Sequence, residues 1–495
     1  MKIIKFGVNN FGCITGGIVG NTIDFENSNT IFIFGQNNSG KSTFLRAYEY
    51  FFEDKNPLLD DFYKQNLSNQ IEILIELELS EEEKGQLRDK RQNAEDKYFY
   101  GDGANRLSFK KIWSSERGRS NNLTMKKDSS GFDDVGYAGV GEHNVFKNML
   151  PIPISIKAMP NEGDVDNIVN IILSEKVRAL LNDKELEEYK KAEEVIRAFQ
   201  KKAYDNDEIK KYKGEVNKYF SSVFKDIKIN ISEKDPGSVL RAIDKKFEIS
   251  FEHLDVNKNI IRDIPTSFQN LGHGAIRTAI FSLFLMKDVA SGKITDNSEQ
   301  KRYLVLFEEP ELFLHPKLIK TLRDLVYQVS AENTPFQALC ASHSPQMIDV
   351  TKPNSSLVRL VKKDDKTNIY QVDESILMEQ DDQKRVRREL YEALRFNPYV
   401  CESFYADEVV LIEGDTEAVF MRAYFQAKEP PKDIFIVNCG SVNNIPFFQQ
   451  LFSRFNIKYH VICDTDDKDG KKRKSNEVDE FGLPVFIGGI QKTRV

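Results

Sequence analysis

A glycine-rich stretch near the N-terminus, Gly35-Gln-Asn-Asn-Ser-Gly-Lys-Ser-Thr43, matches the pattern GxxxxGK[ST] in full. Small residues allow the backbone N–H groups of such a loop to curl around a phosphate, and the lysine adds a positive charge. The apolar run Thr30–Phe34 predicts a strand before the loop, and Thr43–Phe51 predicts a helix whose positive end faces the phosphates. This order predicts an ATP site. The residues assigned to ATP are Gly35, Asn38, Gly40, Lys41, Ser42 and Thr43, of which Ser42 is also assigned to Mg²⁺.

A second group of chemically active residues follows the apolar run Tyr303–Phe307, which predicts a buried strand. Glu308 and Glu309 stand at the carboxyl end of that strand, where Glu308 can hold a hydrated Mg²⁺ and Glu309 can act as the general base for an attacking water. His343 follows another predicted strand, Gln337–Ala341, and is expected to sense the γ-phosphate. A short acidic loop and a structural histidine are the alternatives to these assignments.

Two glycines surround a histidine ahead of a predicted apolar helix that starts at Thr278. Glycines at a helix N-terminus expose backbone N–H groups and form an anion-binding surface. Gly272, His273 and Gly274 are therefore candidates for a second anion-binding surface, and an ordinary glycine turn explains them equally well.

A third group consists of carboxylates near the C-terminus, placed after two apolar runs, Glu408–Ile412 and Tyr459–Cys463. Acidic residues at the ends of neighbouring parallel strands meet at one edge of a sheet, where their repulsion favours a hard divalent cation such as Mg²⁺ or Mn²⁺. Such a cation can activate water in phosphodiester cleavage. Surface acids on an unrelated domain are the alternative. The acidic residues concerned are Glu413, Glu417, Asp464 and Asp466.

The length and bulk composition fit a globular protein of two or three domains outside the membrane. The 495 residues are too many for one core, and 40% hydrophobic with 30% charged residues is ordinary for a globular protein. No apolar run approaches the ~20 residues of a membrane span, and the N-terminus lacks a secretion signal. Five scattered cysteines argue against disulfides or a zinc site, so we expect a cytoplasmic protein. The net charge of −7 restricts nucleic-acid binding to local basic patches.

The order of the elements suggests four parts. An N-terminal ATPase part covers residues 1–165, and a region with apolar residues at helical spacing covers 166–227. The ATPase part resumes over 228–399, and a new α/β pattern fills 400–495. The helical region is either an ordinary subdomain or an inserted arm that pairs two protomers.

The order of the ATPase motifs resembles the ABC-type ATPase heads of the SMC and OLD group. The motifs are the phosphate loop, the glycine pair around His273, Glu308-Glu-Pro-Glu311, and Ser342-His-Ser-Pro345. The resemblance implies that Gly272 to Gly274 cap the γ-phosphate bound by a partner's loop, so that ATP bridges two heads. It also implies that Leu312–Pro316 touches the partner.

The C-terminal carboxylates resemble a Toprim domain, with a glutamate after the first strand and Asp-x-Asp after a later one. With the ATPase head, the chain resembles the OLD (overcoming lysogenization defect) family of ATPase–nucleases. The resemblance implies that Glu413, Glu417, Asp464 and Asp466 bind metal, with Glu413, Asp464 and Asp466 catalytic. The expected fold is therefore an α/β ABC-type P-loop head with a helical dimerisation insertion, followed by a Toprim domain.

The family resemblance implies an ATP-regulated, metal-dependent DNA endonuclease or nickase in bacterial anti-phage defence. The implied partners are DNA, further copies of the chain in a dimer or tetramer, and a defence-system helicase or reverse transcriptase with its multicopy single-stranded DNA. One alternative is a nucleotide-switched scaffold with an impaired Toprim domain, because the chain ends at Val495, shortly after Asp466. Another is a DNA-repair ATPase, although the helical region is too short for a long coiled coil.

Overall fold

We analysed a computed structural model of the chain. It describes residues 1–90, 98–101, 105–136, 150–158, 207–223, 227–233, 247–255, 257, 259–261, 274–276, 278–279, 302–312, 314, 316–329, 334–349, 355–373, 398–428, 430 and 432–462. In this part of the chain no helix is long and apolar enough to cross a membrane.

The N-terminal half forms an antiparallel sheet of six strands. In spatial order the strands are β2 (Thr22–Asp24), β1 (Lys2–Asn9), β4 (Ile71–Glu78), β5 (Arg106–Trp113), β6 (Asn121–Met125) and β7 (Phe132–Gly136). β4 alternates apolar and polar residues because one of its faces is buried.

A second six-stranded sheet carries the ATPase motifs. Its spatial order is β15 (Lys366–Asp373), β14 (Ser355–Lys363), β3 (Thr30–Phe34), β13 (Phe336–Ala341), β12 (Tyr303–Glu308) and β8 (Ile152–Ile156). All neighbours are parallel except β15, which pairs antiparallel with β14 at the edge. The central strands are buried on both faces, which explains their continuous apolar sequences.

Successive side chains of β3 enter two different cores. Ile31 and Ile33 join a core that contains helix α1 (Lys41–Glu53) and the antiparallel sheet. Phe32 and Phe34 point to the opposite face and join a core shared with the C-terminal domain. The strand that leads into the phosphate loop therefore touches both halves of the molecule.

The C-terminal domain contains a parallel three-stranded sheet in the order β17 (Ile434–Asn438), β16 (Glu408–Ile412) and β18 (Lys458–Ile462). A smaller antiparallel sheet elsewhere has the order β11 (Ile260–Ile261), β10 (Phe247–Leu254) and β9 (Ile227–Glu233). The other helices are α2 (Glu81–Lys90), α3 (Asp207–Val223), α4 (Pro316–Val329), α5 (Pro398–Glu402), α6 (Asp415–Lys428) and α7 (Ile445–Arg454).

Several sequence predictions concern residues that the structure does not describe. Only α3, at the end of the predicted helical region, is described there; residues 159–206 lie outside the described chain. No helix was predicted for the stretch that forms α2. The helical arm and the four domain boundaries therefore remain predictions.

Candidate nucleotide and metal sites

The phosphate loop has a shape that requires glycine at its two ends. Gly35 has φ +147°, and a Cβ added there would lie 2.4 Å from the carbonyl oxygen of Leu360. Gly40 has φ +105° and lies against Ile14 and Cys13, at 3.1 and 3.2 Å from an added Cβ. Between them Asn38 also adopts a left-handed conformation, with φ +63°. The loop is thus a tight cradle in which backbone N–H groups are accessible to a phosphate.

Lys41 is the buried cation of this cradle. Its Nζ donates hydrogen bonds to the carbonyl oxygens of Gly35 (2.9 Å) and Gln36 (2.8 Å). Burial lowers the pKa of Lys41 to about 8, although Glu309 and Glu311 partly oppose this shift. Ser42 and Thr43 follow in the first turn of α1, which contains no acidic residue to compete for the positive helix end. These residues fit the triphosphate of a nucleotide.

Strand β12 delivers Glu308 and Glu309 to the same region. Glu308 lies opposite Ala341 of β13, and the N–H of Glu309 donates to the carbonyl of Ala341 (2.8 Å). Glu309 adopts φ +44°, a left-handed conformation that turns the chain sharply at the strand end. Its Oε1 lies 3.8 Å from Nε2 of His343, and its charge raises the pKa of Lys41. The structure thus brings Glu309, Lys41 and His343 together.

Glu311 is a site residue to which the sequence prediction gave no role. Its Oε1 accepts a hydrogen bond from the N–H of His343 (2.6 Å), so the carboxylate holds the histidine loop in place. Burial raises the pKa of Glu311, and its Oε2 is buried without a hydrogen-bond partner among the described residues. Burial and the nearby Lys41 lower the pKa of His343, which favours a neutral imidazole. The sequence signal that could have identified Glu311 was its place in the acidic motif Glu308-Glu-Pro-Glu311.

The glycine pair is described only in part. Gly274 lies in a helical turn, where its carbonyl accepts a hydrogen bond from the buried Thr278 hydroxyl (2.9 Å). Gly272 and His273 lie outside the described residues. Their assignment to a nucleotide held by a second copy stays a prediction.

The turn after β16 carries the first predicted metal ligands of the C-terminal domain. Glu413 is half-buried directly after the fully buried strand. Oε2 of Glu417 lies 2.9 Å from the position that a Cβ on Gly414 would occupy, so its carboxylate rests against the same turn. The two acids therefore share one end of the sheet, and their oxygen donors suit Mg²⁺ or Mn²⁺.

A residue that the sequence reasoning missed connects this turn to the next strand. Asn438, the last residue of β17, donates from Nδ2 to Oδ1 of Asp415 (2.6 Å) and accepts the N–H of Gly440 (2.8 Å). The N–H of Cys439 donates to the carbonyl of Ile412 (2.8 Å). Asn438 thus fixes the turn of β16 against that of β17. The sequence signal that could have identified Asn438 was a polar residue at the end of an apolar run.

The remaining predicted ligands, Asp464 and Asp466, lie outside the described residues. The strand before them, β18, is parallel to β16 and adjacent to it, with Ile412 opposite Ile462. Both strands therefore end at the same edge of the sheet. Within the described ranges, no three His, Cys, Asp or Glu side chains are grouped as a metal site.

Comparison with known proteins agrees with this arrangement. Residues 1–348, more than two thirds of the chain, match the AAA ATPase domain family. The chain belongs to this ATPase family. Residues 404–466 match a second family, described as overcoming lysogenization defect protein-like, TOPRIM domain. The resemblance to the OLD family and the expected α/β fold, an ATPase domain followed by a Toprim domain, are confirmed.

Individual relatives of this AAA-family ATPase cover most of the chain at low identity. The Old nuclease of Escherichia phage P2 is 22% identical over 87% of this chain and 72% of that protein. Endonuclease GajA of Bacillus cereus strain VD045 is 22% identical over 93% of this chain and 75% of that protein. Among solved structures, the Smc head domain of Pyrococcus furiosus bound to a ScpA domain has a TM-score of 0.45 at 12% identity, covering 79% of this chain and 99% of that chain.

Proposed function

We propose that the protein is an ATP-regulated, divalent-metal-dependent DNA endonuclease or nickase that acts in bacterial anti-phage defence. The observation that carries the proposal is the parallel pairing of β16 with β18, which ends both strands at the edge where Glu413 lies. The relatives named Old nuclease and Endonuclease GajA support DNA as the substrate. The defence role is part of the proposal because the resemblance to the OLD family implies it.

In the ATPase part, we assign the nucleotide phosphates to Lys41 and the loop from Gly35 to Thr43. Ser42 and Glu308 would hold Mg²⁺, and Glu309 would accept the proton of the attacking water. His343, held by Glu311, would donate to the γ-phosphate. Gly272 to Gly274 of a second copy would complete the site, which makes the active form a dimer or tetramer.

In the Toprim part, we assign Glu413, Glu417, Asp464 and Asp466 to one or two divalent ions. A bound Mg²⁺ or Mn²⁺ supplies an activated water and stabilises the leaving oxygen of a phosphodiester. The chain itself supplies the ends of the strands and the Asn438 hydrogen bond that holds Asp415. A helicase or a reverse transcriptase with its DNA remains the proposed defence partner.

A plasmid-nicking assay tests this function. Purified protein is incubated with supercoiled plasmid and Mg²⁺ or Mn²⁺, with and without ATP, alongside Glu413→Ala and Asp464→Ala. We expect metal-dependent nicking that either substitution abolishes, while ATP hydrolysis continues. The exposed Glu402→Ala serves as a control that leaves nicking unchanged. Absence of cleavage under every nucleotide condition would contradict the proposal and favour a nucleotide-switched scaffold.

A further inference from the structure

The phosphate loop touches the Toprim domain directly. Gln36, the second residue of the loop, donates from Nε2 to Oδ1 of Asp407 (2.8 Å). Asp407 immediately precedes β16, and its Oδ2 accepts the N–H of Asp433, which precedes β17 (3.1 Å). Both Gln36 and Asp407 are exposed at the rim of the contact. One hydrogen bond therefore joins the nucleotide loop to the start of two Toprim strands.

Beneath this rim, the contact is a packed aromatic cluster. The ring of Phe34, the residue before the loop, lies 5.7 Å from Phe404, 5.7 Å from Tyr405 and 5.3 Å from Phe455. All but the half-buried Tyr405 are fully buried, so the cluster fixes the distance between β3 and the Toprim domain.

A buried arginine adds a polar clamp to the same contact. Arg359 of β14 lies opposite Phe34 in the sheet. Its guanidinium donates to the carbonyls of Phe455 (2.9 Å), Asn456 (3.2 Å) and Ala406 (3.5 Å). Because Arg359 is buried, these hydrogen bonds hold strand β14 against residues 406, 455 and 456 of the Toprim domain.

The loop end of this contact is hydrogen-bonded to the cation of the nucleotide region, Lys41. The carbonyl of Gln36 accepts a hydrogen bond from Nζ of Lys41, the group that a β- or γ-phosphate oxygen would also attract. A shift of Lys41 toward a phosphate would weaken its hydrogen bond to the backbone of Gln36, whose side chain binds Asp407. From Asp407, the rigid strand β16 runs about 20 Å to Glu413.

We propose that the Gln36–Asp407 hydrogen bond couples nucleotide binding to the metal-binding edge of the Toprim domain. This inference rests on the proposed function, because it assigns the residues through which ATP regulates cleavage. Gln36 and Asp407 are positioning residues, since neither lies among the predicted metal ligands. The Gln36–Asp407 hydrogen bond is exposed, so it can rearrange more easily than the buried remainder of the contact.

The test compares Asp407→Ala with a matched control. The control, Asp60→Ala, also removes an exposed hydrogen bond between a glutamine and an aspartate. In that bond, Nε2 of Gln65 donates to Oδ1 of Asp60 (2.9 Å), and both residues belong to the ATPase part. For each protein we measure the nicking rate with and without saturating ATP and take the ratio. We expect Asp407→Ala to remove at least half of the wild-type nucleotide effect on a logarithmic scale. Asp60→Ala keeps the wild-type ratio.

A second readout separates a failed inference from a failed function. Hydrogen exchange of residues 403–417 is measured with and without ATP and Mg²⁺, and we expect ATP-dependent protection in wild type that Asp407→Ala loses. If the protein nicks DNA but the variant keeps both the ratio and the protection, the coupling is wrong and the function stands. If the wild-type protein does not nick DNA, the proposed function is wrong, and the hydrogen-exchange result alone tests the coupling. A thermal melt checks that Asp407→Ala remains folded.

Discussion

The nucleotide region and the Toprim edge use the same topological position in different ways. Both place acidic residues at the carboxyl ends of buried parallel strands. In the nucleotide region the charged groups are already held by the protein: Lys41 binds two loop carbonyls, and Glu311 binds the His343 N–H. At the Toprim edge Glu413 and Glu417 are half-buried, and Asp415 is exposed. The first site holds its lysine and its histidine loop through buried hydrogen bonds, whereas at the second Asn438 binds the exposed Asp415 and the predicted ligands Glu413 and Glu417 are only half-buried.

This difference has a chemical consequence. A phosphate that enters the loop meets groups whose positions are fixed in advance, so little reorganisation accompanies binding. Carboxylates grouped at an exposed edge repel one another until a cation neutralises them. We therefore expect ATP hydrolysis to depend on single buried residues, and cleavage to depend on added metal.

The largest expected effect concerns Glu309, which we propose as the general base of the nucleotide region. Glu309→Gln removes the proton acceptor near His343, so the ATP hydrolysis rate should fall about 100- to 1,000-fold. The change is measured as the rate of phosphate release at saturating ATP. Metal-dependent nicking without nucleotide, measured on the same variant, shows whether the Toprim domain is affected. A fall in the hydrolysis rate of less than tenfold would show that Glu309 is not the general base.

The buried lysine gives the nucleotide region a distinct pH dependence. The pKa of Lys41 is about 8, so its charge is present below that pH and lost as the pH rises through it. Affinity for ATP should therefore fall by up to about tenfold per pH unit above pH 8. A fluorescence titration of ATP across this range checks the slope. Lys41→Arg stays charged, and its affinity should be independent of pH there.

In the Toprim domain, the pH dependence has the opposite direction: the buried carboxylate of Glu408 stabilises the fold at higher pH, whereas Lys41 loses its charge there. Burial of Glu408 opposes its ionisation, but hydrogen bonds and charges from Lys432, His460 and Lys458 outweigh burial and lower its pKa to about 2. Because the folded pKa is depressed, the contribution is full above the unfolded value of about 4.5 and lost as the pH falls toward 2. In the nucleotide region, burial instead raises the pKa of Glu311.

The corresponding experiment is urea unfolding of Glu408→Gln. At neutral pH the substitution should lower the free energy of unfolding by up to about 3 kcal/mol. The difference from wild type should shrink as the pH falls below about 4.5. Glu402→Gln, on an exposed neighbouring residue, is the control. A difference that is constant with pH would show that Lys432, His460 and Lys458 do not depress the Glu408 pKa.

The smallest expected effect concerns Asn438. Asn438→Ala removes its hydrogen bond to Asp415, worth about 1 kcal/mol, and should slow nicking about fivefold. ATP hydrolysis should stay at the wild-type rate, because Asn438 belongs to the Toprim edge. Equal loss of both activities would mean that Asn438 supports the whole fold instead of the turn.

The sequence predicted the strands that are buried on both faces. β3, β12, β13 and β16 appear as continuous apolar runs that end at polar turns, so both their type and their position could be recognised. The same reasoning located Lys41, and it placed Glu309 near it by the order of the motifs.

Features that depend on distant pairs could not be predicted. Strand β14 was not recognised, and Arg359 is 96 residues from the Phe455 carbonyl that it binds. Gln36 and Asp407 are 371 residues apart. Nothing in either local sequence indicates the other partner, because each is an ordinary exposed polar residue until the domains pack. The role of Glu311 likewise depends on a histidine loop that follows a separate strand.

The most direct test is the position of bound metal in crystals of the protein with DNA and Mn²⁺, located by anomalous scattering. The account predicts manganese in direct contact with the Glu413 carboxylate, separate from any ion beside Ser42 and Glu308. Manganese found only beside the phosphate loop, with none at Glu413 in the presence of DNA, would contradict the assignment of two distinct metal-dependent sites.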